Sequence, residues 1–532
     1  MKRGQAPARV FGPLFHFACI VIVIRAGGCA TLPDNSQRSQ SFHLTDTSET
    51  RLAKTFSPAV ADHPGQSGLH PVLSGIDAFA ARIILADLAQ RSLDVQYYIW
   101  DPDDTGMLLA EHLIAAADRG VRVRILLDDF GATASDKELL ALDGHPNIEV
   151  RLFNPIALRS NKYFGALLDF ARSTRRMHNK SFNADNQVAI IGGRNIGDEY
   201  FEASSRRDMA DLDAVVIGRV VPELSESFDL FWNSPGSFPI ESLTGHPKSA
   251  DEAAAVRAQL LTHAEQMQQS SVGRAYGTSP LRSWIEGGEL PFFWGNAVLY
   301  HDDPRKAAEQ SNDPEHRKFP ALKATIDGVH NELLVISPYF VPGRAGMDFI
   351  RQLRERGLRI RILTNSMGSS DVLKVYAFYS RYRKELLAMG VELYELRPDV
   401  VHRPHEADWD AIDSTVRASL HAKVLAFDRE AMYVGSTNLD PRSENLNTEV
   451  GVIFDSNDMS SDICHRLDER LLQIAWRVEA VPVDTLFGKD IRLNWVTQEQ
   501  ESTVRLTEEP GQTFWKNLTV ALLRMLPIED QL

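Results

Sequence analysis

Two stretches of eight residues decide the fold: HNKSFNAD at 178–185 and HAKVLAFD at 421–428. Both follow the pattern His, any residue, Lys, any four residues, Asp, and their histidines lie 243 positions apart (421 − 178). Each is followed at the same distance by a turn of small residues that ends in Asn, GGRN at 192–195 and GSTN at 435–438. One such motif is weak evidence. Two copies with matching tails indicate a duplicated unit.

The repeat extends upstream of the two motifs. DRGVRVRIL at 118–126 resembles ERGLRIRIL at 355–363, and Pro155 and Pro398 each precede their motif histidine by 23 residues. The chain is therefore predicted to be a tandem duplication. Each half would contain roughly 150 to 200 residues, which is an ordinary size for one domain.

Each half alternates helical and strand patterns. Apolar residues at helical spacing predict a helix over 105–119 that ends at Gly120. Residues 121–127 then alternate between apolar residues and arginine before they become continuously apolar, as in a strand that enters a covered sheet. Residues 181–191 and 424–434 predict strand, turn and strand, with each His and Lys on one face. The predicted fold class is α/β: two tandem layered α/β/α domains, related by a pseudo-twofold axis that brings both motifs into one site.

The composition of the chain and the ends of the two repeats predict its division into six segments. The predicted segments are a signal peptide or membrane anchor (1–29), a polar tether rich in Ser, Thr, Asp and Pro (30–75), the first half (76–240), an insertion (241–321), the second half (322–480) and a C-terminal tail (481–532). The insertion matches nothing in the repeat, and we expect it to shape the substrate entrance.

The motif residues suit the chemistry of a phosphodiester. A neutral His can attack phosphorus in line and form a covalent phosphohistidine, which a second nucleophile resolves. A second His would protonate the leaving oxygen and then deprotonate the incoming alcohol. His178 and His421 are the candidates for these roles. Lys180 and Lys423 would neutralise the non-bridging oxygens, a stabilisation that a divalent ion often gives. Neither a metal nor a cofactor is therefore expected.

The turns and the ends of the motifs supply further candidates. Asn195, Asn438 and Ser436 are expected to bind the substrate's non-bridging oxygens. Asp185 and Asp428 complete the two motifs and are candidate catalytic residues. A structural role, in which each Asp ties the turn that follows its motif, is an equal alternative.

Each imidazole also needs a carboxylate that holds it in one tautomer. Asp213 and Glu449 each stand at the head of a strand downstream of a motif. They are the candidates for orienting the histidines, and simple strand-edge carboxylates are the alternative.

The paired motifs and their tails resemble the phospholipase D superfamily, over most of the chain from about Gly75 to about Ala480. More narrowly, SLDVQYYIW at 92–100, RNIGDEYF at 194–201 and NLDPRS at 438–443 are similar to bacterial cardiolipin synthases of the C type. The resemblance implies transfer of a phosphatidyl group between two phospholipids through a phosphatidyl-histidine, with the first-motif histidine as the usual nucleophile. It implies phosphatidylethanolamine or phosphatidylglycerol as donor and phosphatidylglycerol as acceptor.

Other functions compete with this one. A phospholipase D hydrolase, which uses water as acceptor and releases phosphatidic acid, needs the same residues. A nuclease of the same superfamily needs a basic track for a polyanion, whereas this chain has a net charge of −15 and no run rich in Lys and Arg. Nucleic acid is therefore not an expected partner. A lipid-binding scaffold without activity would predict a damaged motif, and both motifs are intact. A need for an accessory protein stays open.

The N-terminal residues predict a location at the bacterial cell envelope. Lys2, Arg3 and Arg9 precede a largely apolar run at 10–24, which is the plan of a secretory signal. Small residues before Cys29 resemble a bacterial lipoprotein cleavage box, which would make Cys29 the acylated first residue. An uncleaved signal anchor is the main alternative. Either way we expect membrane association.

The C-terminal tail carries a second membrane signal. Apolar residues recur at helical spacing at Phe514, Trp515, Leu518, Leu522, Met525 and Leu526. This pattern predicts a short amphipathic helix suited to a membrane interface. A terminal helix docked on the protein's own core is an equal alternative.

Overall fold

The computed structural model describes residues 31–245, 250–309, 316, 319–400, 416–485, 488–499 and 502–531. Up to residue 244 the helices are α1 (Arg51–Asp62), α2 (Gly75–Leu88), α3 (Asp104–Asp118), α4 (Asp136–Asp143), α5 (Lys162–Leu168), α6 (Phe170–Ser173), α7 (Val220–Trp232) and α8 (Ile240–Thr244). The strands of this part are β1 (Ser67–Val72), β2 (Ser92–Tyr97), β3 (Arg122–Asp128), β4 (Ile148–Phe153), β5 (Ser181–Ala184), β6 (Val188–Gly192), β7 (Arg207–Ala210), β8 (Asp213–Gly218) and β9 (Ser237–Pro239).

The rest of the chain repeats this alternation after three linking helices. Its helices are α9 (Ala250–Gln268), α10 (Ser271–Gly277), α11 (Leu281–Gly287), α12 (Arg305–Ala308), α13 (Phe319–Asp327), α14 (Gly343–Glu355), α15 (Leu373–Ala388), α16 (Pro441–Asn445), α17 (Asn457–Ile474) and α18 (Phe514–Leu523). Its strands are β10 (Phe293–His301), β11 (Glu332–Ile336), β12 (Arg359–Asn365), β13 (Glu392–Leu396), β14 (Arg417–Leu420), β15 (Val424–Phe427), β16 (Ala431–Gly435), β17 (Val450–Asp455), β18 (Ala475–Thr485), β19 (Gly488–Glu499) and β20 (Ser502–Leu506).

Eighteen of the described strands form one continuous mixed sheet. Their order is β9-β4-β3-β2-β5-β6-β8-β1-β10-β17-β16-β15-β11-β12-β13-β18-β19-β20. The antiparallel pair β1–β10 lies at the centre, with Gly68 opposite Trp294. Outward from this pair, the strands of the two halves correspond one to one as far as β9 and β18. This symmetry confirms the predicted tandem α/β halves.

The parallel strands and their turns form as the sequence predicts. In each half three parallel strands, β2-β3-β4 and β11-β12-β13, carry buried apolar side chains. Gly120 follows α3 with a φ of +93°, and Gly357 follows α14 with a φ of +91°. Glycine is favoured in this left-handed region, which ends the helix and turns the chain into the next strand. One apolar cluster fills each half, and a third combines residues of both halves, including Val216 and Val452.

Two predicted boundaries are wrong. The predicted polar tether at 30–75 contains α1, which buries Leu52 and Phe56, and β1, which pairs with β8 and β10. The predicted insertion at 241–321 contains β10, which is the counterpart of β1 and pairs with β17. Because both strands lie inside the sheet, the two halves begin earlier than predicted and meet through main-chain hydrogen bonds.

The C-terminal tail extends the sheet and then forms the predicted helix. β19 and β20 add to β18. α18 buries Val520, while Phe514 and Trp515 are 73% and 72% exposed. No helix in the described part of the chain is long and apolar enough to span a membrane. The predicted signal or anchor at 1–29, with Cys29, lies outside the described residues.

Candidate active site

Each motif histidine stands at the start of a β-hairpin and is tied to the opposite half of the molecule. His178 precedes the hairpin β5–β6, and its N–H donates to the carbonyl of Thr448 over 2.9 Å. His421 precedes the hairpin β15–β16, and its N–H donates to the carbonyl of Ala210 over 2.8 Å. The strand just before His421, β14, pairs in parallel with β7 of the first half, which ends at Ala210. Both histidines are therefore held where the two halves meet.

The imidazole of His178 is held by a carboxylate of the second half. Its Nδ1 lies 2.9 Å from Oε2 of Glu449. The hydroxyl groups of Ser436 and Ser443 donate to the same carboxylate, the latter over 2.7 Å. The N–H of Glu449 donates to Asp302 over 3.0 Å. A proton on Nδ1 leaves Nε2 as the nitrogen that can act on a substrate.

The imidazole of His421 is held by a carboxylate of the first half, and that carboxylate is not the predicted one. Nδ1 of His421 lies 2.6 Å from Oδ2 of Asp211. The predicted partner, Asp213, instead accepts from Arg82 over 2.9 Å and lies 3.6 Å from Arg194. Asp213 thus belongs to a buried structural ion pair with Arg82, and the prediction that it orients a histidine is wrong.

Strand register explains why Asp211 holds this position. The turn glycine Gly192 lies opposite Asp213, and its counterpart Gly435 lies opposite Gly451. Asp213 therefore corresponds to Gly451, and Asp211 corresponds to the carboxylate two residues earlier in the second half. The segment from the turn asparagine to this carboxylate is five residues longer in the first half. The constant offset of 243 residues between the motifs does not pair Asp211 with Glu449, whereas aligning the strands by their turn glycines does.

The two motif lysines are buried beside the histidines. Lys180 Nζ donates to the carbonyl of His178 over 2.7 Å, and Lys423 Nζ donates to the carbonyl of His421 and lies 3.0 Å from its Nδ1. Burial lowers the pKa of Lys180 well below its usual range and that of Lys423 to about 8. Each ammonium keeps donor capacity for a further acceptor. Among the described residues, no three His, Cys, Asp or Glu side chains cluster in a way that could hold a metal ion.

Burial and the lysines lower the pKa of both imidazoles below the ordinary value for histidine. Burial, followed by the charges of Lys180 and Lys423, lowers the pKa of His178 well below its usual range. Burial and Lys423 also lower the pKa of His421, although its hydrogen bond to Asp211 acts in the opposite direction. Because the second-motif lysine acts on the first-motif histidine, both motifs belong to one site.

The two orienting carboxylates differ in acidity. Burial raises the pKa of Glu449 to about 7, against the opposing charge of Lys180 and the hydroxyl of Ser436. Burial also acts to raise the pKa of Asp211, but the hydrogen bond and charge of His421 outweigh it and the pKa falls to about 2. Pairs of titratable groups whose pKa values are driven apart often carry different catalytic roles.

Asp185 and Asp428 lie at the far end of their hairpin strands. Seven residues of extended chain separate each from its histidine, or about 20 Å. Asp185 accepts from the N–H groups of residues 90, 91 and 92, at 2.7 Å from Arg91. Asp428 accepts in the same way from residues 330, 331 and 332, at 2.7 Å from Asn331. Both therefore tie the turn to the start of the neighbouring strand, which favours the structural alternative over the catalytic role.

Of the three residues predicted to bind the substrate's non-bridging oxygens, Asn195 and Ser436 hold other parts of the protein. Asn195 accepts from the N–H of Ile99 over 3.2 Å and donates to Tyr200 over 3.0 Å, so both ends of its amide hold the loop. Ser436 holds Glu449. The side-chain oxygen of Asn438 is buried and has no hydrogen-bond partner in the described part of the chain.

Several groups around the site were not predicted from the sequence. The rings of Tyr98 and Tyr200 pack edge-on against His178 and His421, each at 5.1 Å between centroids. The buried Lys306 donates to Asp302 over 2.7 Å and to the carbonyl of Ser443 over 2.8 Å, which braces the loop that holds Glu449. Tyr98 directly follows β2, so its position at a strand's carboxyl end was the available signal.

Comparison with known proteins identifies the family. The family model described as "Cardiolipin synthase, PLD-like domain" matches residues 83–232 and 322–473. The chain is 40% identical over 480 residues to cardiolipin synthase C of Escherichia coli K12, covering 90% of this chain and 99% of the relative. The chain belongs to the phospholipase D-like cardiolipin synthase family. It is an enzyme of phospholipase D type.

Other members and neighbours of this cardiolipin synthase family are more distant. Cardiolipin synthase B of E. coli K12 is 24% identical over 399 residues, covering 72% of this chain and 78% of the relative. The crystal structure of phosphatidylserine synthase from Haemophilus influenzae matches with a TM-score of 0.51 at 15% identity, over 80% of this chain and 92% of that one. This likeness shows a common fold.

Proposed function

We propose that this cardiolipin synthase homologue moves a phosphatidyl group from phosphatidylethanolamine or phosphatidylglycerol to phosphatidylglycerol, through a phosphohistidine at His178. The observation that carries the proposal is the unequal pairing of the two histidines. His178 is the more strongly depressed imidazole and lies beside a carboxylate with a pKa of about 7. His421 lies beside Asp211, which stays ionised and so stabilises a protonated imidazole.

In the first step Nε2 of His178 attacks the donor phosphorus, and a phosphorus–nitrogen bond forms as the bond to the head-group oxygen breaks. Protonated His421 gives its proton to that oxygen, and the head group leaves as an alcohol. In the second step neutral His421 takes the proton of a glycerol hydroxyl of phosphatidylglycerol. The resulting oxygen attacks phosphorus, the phosphorus–nitrogen bond breaks, and His178 is restored. Lys180 and Lys423 neutralise the non-bridging oxygens throughout.

Trapping the intermediate tests the assignment of the nucleophile. A His421→Asn variant, given a phosphatidyl donor with a p-nitrophenol leaving group, needs no acid to expel that group. We expect a phosphatidyl adduct on the peptide that contains His178, detected by mass spectrometry. The matched variant is His178→Asn with the same donor. An adduct on His421 in that variant, with none on His178 in the first, would contradict the assignment.

Lipid analysis tests the reaction and its substrates. The chain would be expressed in bacteria that lack their own cardiolipin synthases, beside the His178→Asn variant, and lipids would be measured by mass spectrometry. We expect cardiolipin to appear only with the active chain. Phosphatidic acid without cardiolipin would show that water is the acceptor and would overturn the transferase proposal.

The proposed location is the bacterial cell envelope, with the protein associated with a membrane. The apolar run before Cys29 supports this proposal. Replacing Cys29 by Ser should release part of the protein from membranes if this cysteine is acylated. A Cys29→Ser variant that stays wholly bound with unchanged mass would show that residues 1–29 act as a permanent anchor.

A further inference from the structure

Exposed apolar side chains are concentrated in two segments. Of the nineteen large hydrophobic residues that are exposed in the described part of the chain, eleven lie in these segments. The entrance patch, on α5 and α6, contains Tyr163, Phe164, Leu167, Leu168 and Phe170. The tail patch, on and after α18, contains Phe514, Trp515, Leu518, Leu522, Met525 and Leu526. Scattered exposed apolar residues are ordinary, but contiguous ones mark an interaction surface.

The chain segments that follow the two patches both contact Arg442. Arg442 donates to the carbonyl of Thr174, at the end of α6, and over 3.4 Å to the carbonyl of Gln531, just after the tail patch. The charge of Arg442 is also among those that lower the pKa of His178. His178 follows Thr174 by four residues. More than 340 positions separate the patches in sequence, yet the segments that follow them share one contact residue, Arg442.

Each segment is already docked on the protein by its other face. In α5 the buried Gly165 lies so close to Ile156 and Leu158 that an added Cβ would come within 2.6 Å and 2.9 Å of them. In α18 Val520 is 4% exposed, and Lys516 donates to the carbonyl of Met367 over 3.2 Å. The outward apolar faces therefore stay exposed after the helices have packed on the protein. Leu167 is 69% and Tyr163 is 81% exposed with the helices packed.

We propose that the entrance patch and the tail patch form one bilayer-docking surface, which sits at the boundary between head groups and acyl chains and turns the mouth of the site toward the membrane. This inference rests on the proposed phospholipid substrates. Their acyl chains must stay in an apolar phase while the phosphate reaches a buried histidine. Mixed Tyr, Phe, Trp and Leu side chains suit the membrane interface. Arg442 contacts the segments that follow both patches and Lys516 lies on α18, so each places a positive charge near the proposed surface, where anionic head groups would lie.

Photo-crosslinking in a bilayer tests contact directly. The full chain, reconstituted in vesicles of phosphatidylethanolamine and phosphatidylglycerol, would carry benzoylphenylalanine in place of Leu167. The matched control carries it in place of Leu230, which is 51% exposed on α7 and belongs to neither patch. We expect lipid adducts at 167 at least about ten-fold more often than at 230. Equal labelling, or adducts at 167 to a second copy of the chain or another protein, would overturn the proposal.

Kinetics tests whether docking serves the reaction. In a variant with Tyr163→Ser, Leu167→Ser and Leu168→Ser, we expect the rate on bilayer phospholipids to fall at least about ten-fold. The rate on a monomeric short-chain phosphatidylglycerol should stay within about two-fold of the unchanged chain, which also shows that the variant folds. Equal losses on both substrates would overturn the docking role. Lipid adducts without cardiolipin formation would instead refute the proposed function and leave the docking surface standing.

Discussion

At the scale of single residues, Asp211 and Asp213 differ in what holds their carboxylates. Asp211 contacts the imidazole of His421, whereas Asp213 lies in a buried ion pair with Arg82. In the proposed mechanism, Asp211 serves the reaction and Asp213 serves the stability of the fold. Substitutions at Asp211 should therefore lower kcat, and substitutions at Asp213 should lower stability.

Asp211→Asn should lower kcat at least about a hundred-fold, because the neutral amide no longer stabilises a protonated His421. Its melting temperature should change little. Asp213→Asn should instead cost about 3 to 5 kcal/mol of stability, since it leaves the charge of Arg82 buried without its partner. Thermal unfolding and kinetics of both variants on a short-chain substrate check this contrast. Similar losses of kcat at similar stability would refute it.

The acidities of Glu449 and Lys423 predict a bell-shaped pH profile. Below about pH 7 Glu449 becomes protonated and no longer accepts well from His178, so the rate should fall toward acid pH. Above about pH 8 Lys423 loses its charge and no longer neutralises the phosphate, so the rate should also fall toward alkaline pH. The initial rate on a soluble substrate, measured from pH 5 to 10, checks both limbs. A flat profile from pH 6 to 9 would contradict this assignment.

At the scale of elements, the two hairpins are fixed at one end by their aspartates and carry the histidines at the other. Asp185 is fully buried and accepts from three successive N–H groups, whereas Asp428 makes the same contacts in a more exposed position. In the proposed mechanism, the His and Lys of each His-x-Lys-x4-Asp motif react with the substrate, while its Asp holds the hairpin in place.

Asp185→Ala should cost about 3 kcal/mol, at about 1 kcal/mol for each lost hydrogen bond. Asp428→Ala should cost less, because water can replace the carboxylate there. Both variants should keep kcat within about two-fold, since the change lies about 20 Å from the histidine. Melting temperatures and kinetics of the pair check this. A large loss of kcat in a stable Asp185→Ala protein would restore the catalytic interpretation.

Local patterns predicted the elements well, and long-range pairing was not visible. The hairpins, the strand after Gly120 and the tandem repeat follow from short-range spacing. β1 and β10 were missed because their sequences, SGLHPV and FWGNAVLYH, share no pattern and each is a strand only through its partner across the sheet. Asp211 was missed for a related reason, since its match depends on strand register rather than on sequence distance.

At the scale of the whole molecule, the active site is complete only when both halves are present. Each half contributes one histidine and the carboxylate that holds the other half's histidine. The pair β1–β10 joins the halves through the backbone. The chain should therefore behave as one catalytic unit.

His178→Ala and His421→Ala should each lower the rate below about a hundredth of the original. The double variant should be no slower than the slower single variant, because residues that act as one unit are not additive. Steady-state rates of the three variants on a short-chain substrate check this. Losses that multiply in the double variant would indicate two independent sites.

Each half supplies the carboxylate that holds the other half's histidine, and this arrangement bears on how the two histidines came to differ in their surroundings. In a symmetric pair of identical single-half chains, both histidines would receive the same acid and would share one proton affinity. Joining the halves in one polypeptide removes that identity. One position can then be aspartate, on a segment five residues longer, while the other is glutamate beneath two serine hydroxyls. Duplication within a single gene thus permits the proposed division of labour, which identical subunits related by a twofold axis cannot encode.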